Sequence, residues 1–320
     1  MTNPAVSVIT PSFNRAGLLP RAWRSIRDES LPLEWVVVDD ASTDSTLSVV
    51  ESLDDQRIVF LRLDQNQGSN IARNAGVRAS RGRYILFLDS DDELVPNALR
   101  DAVHILESAP AGIGAVLMIA QPTFTSKLKS SLPDGAVLNE EDLVIHHRLR
   151  GDQAVLYKSE VFLKQMLPEE YRESQFVFVF GISRWWNYLV VNRPLTLVHR
   201  QDDNLSQAQS VVTRSRAIAM GWESVIHNHA GILRQNAPAR IRLYGRVLYR
   251  YAVAGDREAL RRAFHEFRLE HPGLLNAIRG SAMVIAGKIG RRGGDHLRMR
   301  LMRLREEGIG RARQRVQAIR

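Results

Sequence analysis

Three carboxylates stand at the end of an apolar run in Leu86-Phe87-Leu88-Asp89-Ser90-Asp91-Asp92, with Pro96 four residues on. Clustered like charges raise the cost of ionisation unless a cation or hydrogen-bond donors sit among the oxygens. A hard divalent ion is the simplest such partner. Mg²⁺ and Mn²⁺ take oxygen ligands, and Mg²⁺ typically uses one or two carboxylates, leaving its other positions to water and substrate phosphates. The triplet therefore points to a nucleoside diphosphate substrate. The plainer alternative is that the acids cap a turn, with Asp91 or Asp92 starting a helix at Pro96.

Such a motif needs a scaffold that brings strand ends together. Four β-branched runs in the first hundred residues, Val6 to Thr10, Trp35 to Asp39, Ile58 to Leu63 and Tyr84 to Leu88, read as strands. The central ones are nearly all apolar, as expected of strands buried on both faces. Helical spacing lies between them: Leu18, Leu19, Ala22, Trp23 and Ile26; Leu47, Val50 and Leu53 behind an Asp44 or Ser42 cap; Ile71, Ala75 and Val77, closed by Arg81-Gly82; and Pro96 to Leu106. Alternating strand and helix predicts βαβ units and a mainly parallel sheet. Beyond Ala109 the pattern loosens. Gly114 to Ala120, Ala154 to Tyr157, and Pro194 to Arg200 look strand-like, and Phe176 to Phe180 and Tyr188 to Val191 look buried. From about Ser206 the pattern is helical, with a helix pair turning at Ala254-Gly255-Asp256.

All four early strands adjoin polar residues of the kind that meets a ligand at the carboxyl edge of an α/β sheet. Thr10-Pro11-Ser12-Phe13-Asn14-Arg15 follows the first and Asp39-Asp40-Ala41-Ser42-Thr43-Asp44 the second. Asn66-Gln67-Gly68-Ser69-Asn70 and Ala72-Arg73-Asn74 precede the fourth, and the acidic triplet follows it. With these segments in this order and spacing, the chain resembles a family 2 glycosyltransferase of the GT-A fold over roughly its first hundred residues.

The resemblance implies an inverting, metal-dependent transfer of a sugar from a nucleoside diphosphate donor, a UDP-sugar by preference, to a polysaccharide, lipid-linked or small-molecule acceptor. Thr10, Pro11, Phe13 and Arg15 would line the nucleotide site, with Phe13 near the base and Asp40 accepting from the base imide nitrogen. Asp39 would support that loop. Gly68, Asn70, Arg73 and Asn74 would form the helix start beneath ribose and diphosphate. Asn74 could instead brace loops, Arg73 could pair with Asp89 or Asp39, and Phe13 could be core. In the DXD-like motif Asp89 would face the ribose and Asp91 ligate Mn²⁺ or Mg²⁺, with Ser90 among the donor contacts and Asp92 the least defined member. The metal would neutralise the departing diphosphate.

A sugar hydroxyl also needs a general base as it attacks. The family places an Asp or Glu well downstream, in a segment before the final sheet strand, which the resemblance sets at Leu167-Pro168-Glu169-Glu170-Tyr171-Arg172-Glu173 ahead of Phe176 to Phe180; Glu173 is nearest the usual place, with Asp152 and Glu170 as competitors. The closing segment, His199-Arg200-Gln201-Asp202-Asp203, offers His199 to the diphosphate, or His199 simply bonds a loop. His146-His147 and His227-x-His229 lack the partners of a metal site and read as structural or acceptor-side residues.

The 320-residue chain carries 44 Lys plus Arg against 35 Asp plus Glu, a formal charge of +9, and much of the excess lies toward the C-terminus. The expected organisation is a donor half at 1–108, an acceptor and base half at 109–208, and a basic helical region at 209–320. The last forty residues mix apolar side chains with arginines, a pattern suited to an anionic membrane surface, a partner helix or a solvated face. Nucleic-acid binding has the charge but no helix-turn-helix, zinc or stacking signature. With no cysteine, thiol nucleophiles, disulfides and thiolate metal sites are excluded. The opening residues lack a signal-peptide pattern and no stretch approaches the ~20 apolar residues of a membrane span, so a protein that is either free in the cytoplasm or peripheral at the inner membrane face is expected. A catalytically inactive nucleotide-sugar-binding or interaction module is the alternative.

Overall fold

Apolar β-branched runs can bury both faces only inside a layered α/β structure, and that is the architecture found. The computed structural model describes residues 3–123, 132–148, 153–171, 174–199 and 208–270. The described residues through Ala263 belong to one compact unit and Phe264–Glu270 to a second. The strands are β1 (Val6–Ser12), β2 (Leu33–Asp39), β3 (Ile58–Arg62), β4 (Tyr84–Phe87), β5 (Glu93–Leu94), β6 (Ile113–Pro122), β7 (Val137–Leu138), β8 (Gln153–Lys158) and β9 (Asn187–Val198). The helices are α1 (Leu19–Arg27), α2 (Thr46–Ser52), α3 (Ser69–Ala79), α4 (Ala98–Ser108), α5 (Glu140–Val144), α6 (Gln175–Ile182), α7 (Ala208–Asn228), α8 (Ala230–Arg234), α9 (Ala237–Ala254) and α10 (Arg257–Glu270).

One mixed sheet runs β3-β2-β1-β4-β8-β6-β9-β5, with β7 paired to β9. Strands β1 to β4 are parallel, while β8 is antiparallel to both β4 and β6. The sheet therefore continues unbroken from the first hundred residues into the loosely patterned middle.

The period of two sorts the side chains of β1 and β2 by face. Val6, Val8, Trp35 and Val37 join Leu19, Ala22, Trp23 and Ile26 of α1 in the core cluster. There the Trp23 and Trp35 rings stack with centroids 5.2 Å apart. On the other face α3 packs against β1 and β2. At the amino end, Gly82 donates to Ser7 Oγ, which in turn donates to the buried Glu34 carboxylate. A Cβ on Gly82 would lie 2.4 Å from the Ser7 backbone nitrogen, so the chain crosses there with no room for a side chain.

Two features differ from the sequence reading, and two agree with it. Phe176 to Phe180 lies in α6, a helix and not a sheet strand. Its residues Val177 to Ile182 are all buried, so a run apolar all round carries no period to separate helix from strand. Helix α4 starts at Ala98 behind Asn97, which adopts φ 63°, and Glu93–Leu94 forms the short β5 in place of a capping turn. Helix α2 is held by Asp44, whose Oδ1 accepts from the N–H and hydroxyl of Thr46. The helical turn at Ala254-Gly255-Asp256 is present, with Gly255 at φ 70° closing α9.

Candidate active site

The strand order fixes where a ligand can enter. From β1 the chain winds outward through β2 to β3, then returns across β1 to β4, so the topological switch lies between β1 and β4. In open α/β sheets the carboxyl ends at that switch form the binding crevice. The loops after β1, β2 and β4 all open there, joined by the start of α3.

The first two loops are tied into one unit. Asn14, at φ 53°, donates its backbone N–H to Ser42 Oγ (2.8 Å), and its Oδ1 accepts from the Thr43 N–H (2.8 Å). Asp44 Oδ2 accepts from the Ala16 N–H. Phe13 is 43% exposed, so its ring stands at the crevice mouth and not in the core. Thr10 points the other way: it is fully buried and its hydroxyl accepts from the Trp35 indole at 2.8 Å. Pro11 and Arg15 are half-buried.

Asp39 is buried, with Oδ1 accepting from the Ser42 N–H and the Arg62 guanidinium 3.3 Å from Oδ2. Each oxygen of Asp40 accepts one backbone N–H, from Gln67 at 2.7 Å and Gly68 at 2.8 Å. Gly68 adopts φ 98°, which a side chain would strain, and serves as the N-cap of α3. Asp40 therefore braces the turn into α3, while the second lone pairs of its oxygens keep acceptor capacity.

Asn70, Arg73 and Asn74 fall at i, i+3 and i+4, so one buried face of α3 carries all three. Arg73 donates to Asp89 Oδ1 at 2.5 Å and sits over the Phe87 ring. With its amide oxygen turned toward the guanidinium, Gln175 accepts from Arg73 Nε at 2.9 Å. Asn70 donates to the carbonyls of Pro168 and Tyr171. Asn74 donates to the Leu167 carbonyl and to Glu169 Oε1 and accepts from the Leu167 N–H. Asn70 and Asn74 thus clamp the 167–171 loop, and Arg73 orients Asp89.

The acidic triplet is crowded. Burial, then Asp89, pushes the Asp91 carboxyl above its usual range, partly offset by Arg15 and Arg21. Asp92 is pushed up to about 8 by burial, then by Asp89 and Asp91, though the His199 backbone N–H donates to it. The His199 imidazole Nε2 lies 2.6 Å from Glu93 Oε1, so its ring is engaged on β5. Ser90 is buried between the acids. Among the described residues no set of three or more His, Cys, Asp or Glu side chains stands ready to hold a metal ion. A two-carboxylate site completed by substrate phosphates is the mode that fits this donor set. The raised pKa values mark an excess of negative potential, which a cation would relieve.

Beside the triplet opens a cavity of about 440 Å³, walled by Asp89, Asp92, Tyr157, Gln175, Phe176 and Thr196. Glu173 and Asp152, two of the expected bases, lie outside the described residues, but Gln175 and Gln153, two and one residues beyond them in the chain, line this cavity. Glu170 is exposed beside Tyr171 and does not line it. The sequence reading missed Gln153, Gln175 and Arg21, which donates to the Asp91 carbonyl. A polar residue opening an otherwise apolar element was the available signal for the two glutamines. His229 is buried, its Nδ1 2.6 Å from Glu140 Oε1, and His147 packs against Phe180 and Trp222.

Residues 7–161 match the model of the glycosyl transferase family 2. The GalNAc(5)-diNAcBac-PP-undecaprenol β-1,3-glucosyltransferase of Campylobacter jejuni is 33% identical over 174 residues, which are 52% of this chain and 56% of that protein. The crystal structure of S. aureus TarS 1–349 in complex with UDP-GlcNAc superposes with a TM-score of 0.56 at 19% identity, covering 82% of this chain and 91% of that one. The mannosyltransferase PcManGT from Pyrobaculum calidifontis, in complex with GDP-Man and Mn²⁺, gives 0.50 at 19% identity over 92% and 89%. These two establish the shared GT-A fold. The chain spans about half or less of the length of the curated relatives it matches. The matched segment holds β1 to β4 and their strand-end loops, so residues 7–161 are of the glycosyl transferase family 2 type.

Proposed function

We propose that the chain is an inverting, metal-dependent glycosyltransferase that moves a sugar from a nucleoside diphosphate donor, most simply a UDP-sugar, to a hydroxyl of an envelope polysaccharide or lipid-linked acceptor. One observation carries this reading: Asp89 and Asp92 wall a cavity at the topological switch of a family 2 domain, with Asp91 beside them, and burial followed by mutual repulsion pushes the Asp91 and Asp92 carboxyls up. A relative acting on an undecaprenol diphosphate acceptor and fold neighbours bound to UDP-GlcNAc, or to GDP-Man with Mn²⁺, support the substrate class.

In this reading Asp91, with Asp89 beside it, would hold Mn²⁺ or Mg²⁺, which when bound neutralises the leaving diphosphate. Phe13 stacks on the base, Asp40 accepts from it, and Arg15 faces the phosphates. Arg73 holds Asp89 for the ribose while Gly68, Asn70 and Asn74 shape the floor of the site. Thr10 acts from behind, by fixing β1 against Trp35. His199 acts on Asp92 through its backbone, and Ser90 spaces the acids. Glu173 takes the acceptor proton, with Asp152 as its competitor, because the chain positions just beyond both line the cavity. Displacement opposite the leaving group inverts the anomeric carbon. No described helix is long and apolar enough to cross a membrane.

The test is transfer from a UDP-sugar panel with Mn²⁺, comparing wild type with Glu173→Gln. Transfer should fall at least 10²-fold, in line with loss of a general base, while UDP binding persists. Near-normal turnover would remove Glu173 from the role, and retention of the donor's anomeric configuration in the product would refute inversion.

A further inference from the structure

A second cavity, of about 380 Å³, opens between α7, α9 and the first turns of α10, with Tyr171 closing one side. Its chemistry is unlike that of the donor crevice. Glu223 reaches in from α7 with its side chain only 14% exposed, and its Oε2 accepts from the Tyr251 hydroxyl at 2.6 Å. Burial, then Glu223 itself, holds the Tyr251 phenol well above its ordinary pKa, so it stays a donor and pins the carboxylate. Oε1, the other carboxylate oxygen, is buried and accepts no hydrogen bond among the described residues.

The wall charges balance. Arg216 pairs with Asp256 at 2.8 Å and Arg262 lies 3.6 Å from Glu223, so each guanidinium among the described wall residues faces a carboxylate. An anion would also meet the buried Oε1, whose free lone pairs need a donor. His227 and Ser224 add groups that both donate and accept, and Met220 and Tyr171 add apolar surface. A neutral ligand carrying several hydroxyls on an apolar ring face satisfies all of these at once.

Two contacts tie this cavity to the active site. The Tyr171 carbonyl accepts from Asn70 of α3. Trp222, next to Glu223, stacks at 4.5 Å on Phe176, which lines the first cavity. Gly221 lets α7 close on α6, since a Cβ there would lie 2.8 Å from Val177 and 2.9 Å from Phe176. We infer that the α7–α9–α10 cavity is a subsite for a neutral sugar unit of the acceptor, with the Glu223 carboxylate in its wall. This rests on the transferase reading above.

The test is saturation-transfer NMR on the full chain with three neutral trisaccharides, laminaritriose, cellotriose and chitotriose, at millimolar concentration. At least one should receive saturation, and its Kd should rise tenfold or more in Glu223→Ala. Met220→Trp, which fills the cavity and leaves the Glu223–Tyr251 bond in place, should do the same, guarding against a folding defect in the first variant. Binding of none of the three, binding indifferent to both variants, or displacement of the sugar by inorganic phosphate would overturn the subsite. UDP-induced thermal stabilisation, recorded on the same samples, tests the donor reading separately and should be unchanged in both variants.

Discussion

Asn74→Ala isolates the clamp between α3 and the 167–171 loop. Asn74 is fully buried and accepts from the Leu167 N–H at 3.0 Å while donating to the Leu167 carbonyl at 2.9 Å and to Glu169 at 2.9 Å. Truncation leaves two buried backbone groups of Leu167 unpaired, each costing ~1–3 kcal/mol. A water admitted to the vacated space would recover part of that, so a net loss of about 2–4 kcal/mol is expected. At ~2–4 °C per kcal/mol for a domain near this size, the melting temperature should fall by about 4–16 °C. Glu169 also reports the change: its carboxyl is held below the usual range first by Asn74 and then by Arg78, so its pKa should rise in the variant. Differential scanning calorimetry on the metal-free chain provides the stability number. A midpoint within about 2 °C of wild type, outside the range those unpaired groups allow, would refute the clamp.

Other expectations concern charge and close packing. Burial raises the carboxyl of Glu29 above its usual value. Between the unfolded value near 4.5 and that raised value the native state binds more protons, so this group's contribution to stability falls as pH rises. Glu29→Gln should therefore stabilise the chain at pH 7 relative to pH 5, by urea titration; an unchanged pH slope would count against it. With Asp92 at about 8, the metal-free triplet carries close to one proton at neutral pH. Mn²⁺ binding should release it, and affinity should rise about tenfold per pH unit up to that value. Calorimetry in two buffers of different ionisation enthalpy measures the release, and zero protons would contradict the crowding. Gly82→Ala forces a Cβ to 2.4 Å from the Ser7 backbone nitrogen and should cost about 3 kcal/mol; a neutral effect in denaturant titration would show that the crossing can relax.

The fold of the first hundred residues was legible because its signals are local. Valine-rich runs end in polar residues, and the parallel order of β1 to β4 turns those ends into one crevice whatever the loops do in detail. Roles within the crevice were less legible. Thr10 reads as a ligand contact from its place at a strand end, yet period-two alternation turns it to the core beside Val6 and Val8, where Trp35 takes its hydroxyl. Asp40 and Asn74 are polar residues whose first duty is to satisfy backbone groups of distant loops, a fact that depends on contacts 27 to 95 residues away. The α6 run was misread because total burial erases amphipathic period, and β-branched and aromatic composition then favours strand. The second cavity has no local signature at all. Glu223 and Tyr251 meet only because α7 and α9 pack, and nothing in either helix alone separates a cavity carboxylate from a solvated one.

The central claim is that Asp91 and a divalent ion together hold a nucleoside diphosphate at the β1–β4 switch. Isothermal titration of UDP into the full chain, with Mn²⁺ and then with EDTA, tests it most directly, with Asp91→Asn run in parallel. Saturable binding that is lost in EDTA and in Asp91→Asn is the predicted result. UDP binding of equal affinity with and without the metal, or undiminished in Asp91→Asn, would contradict it.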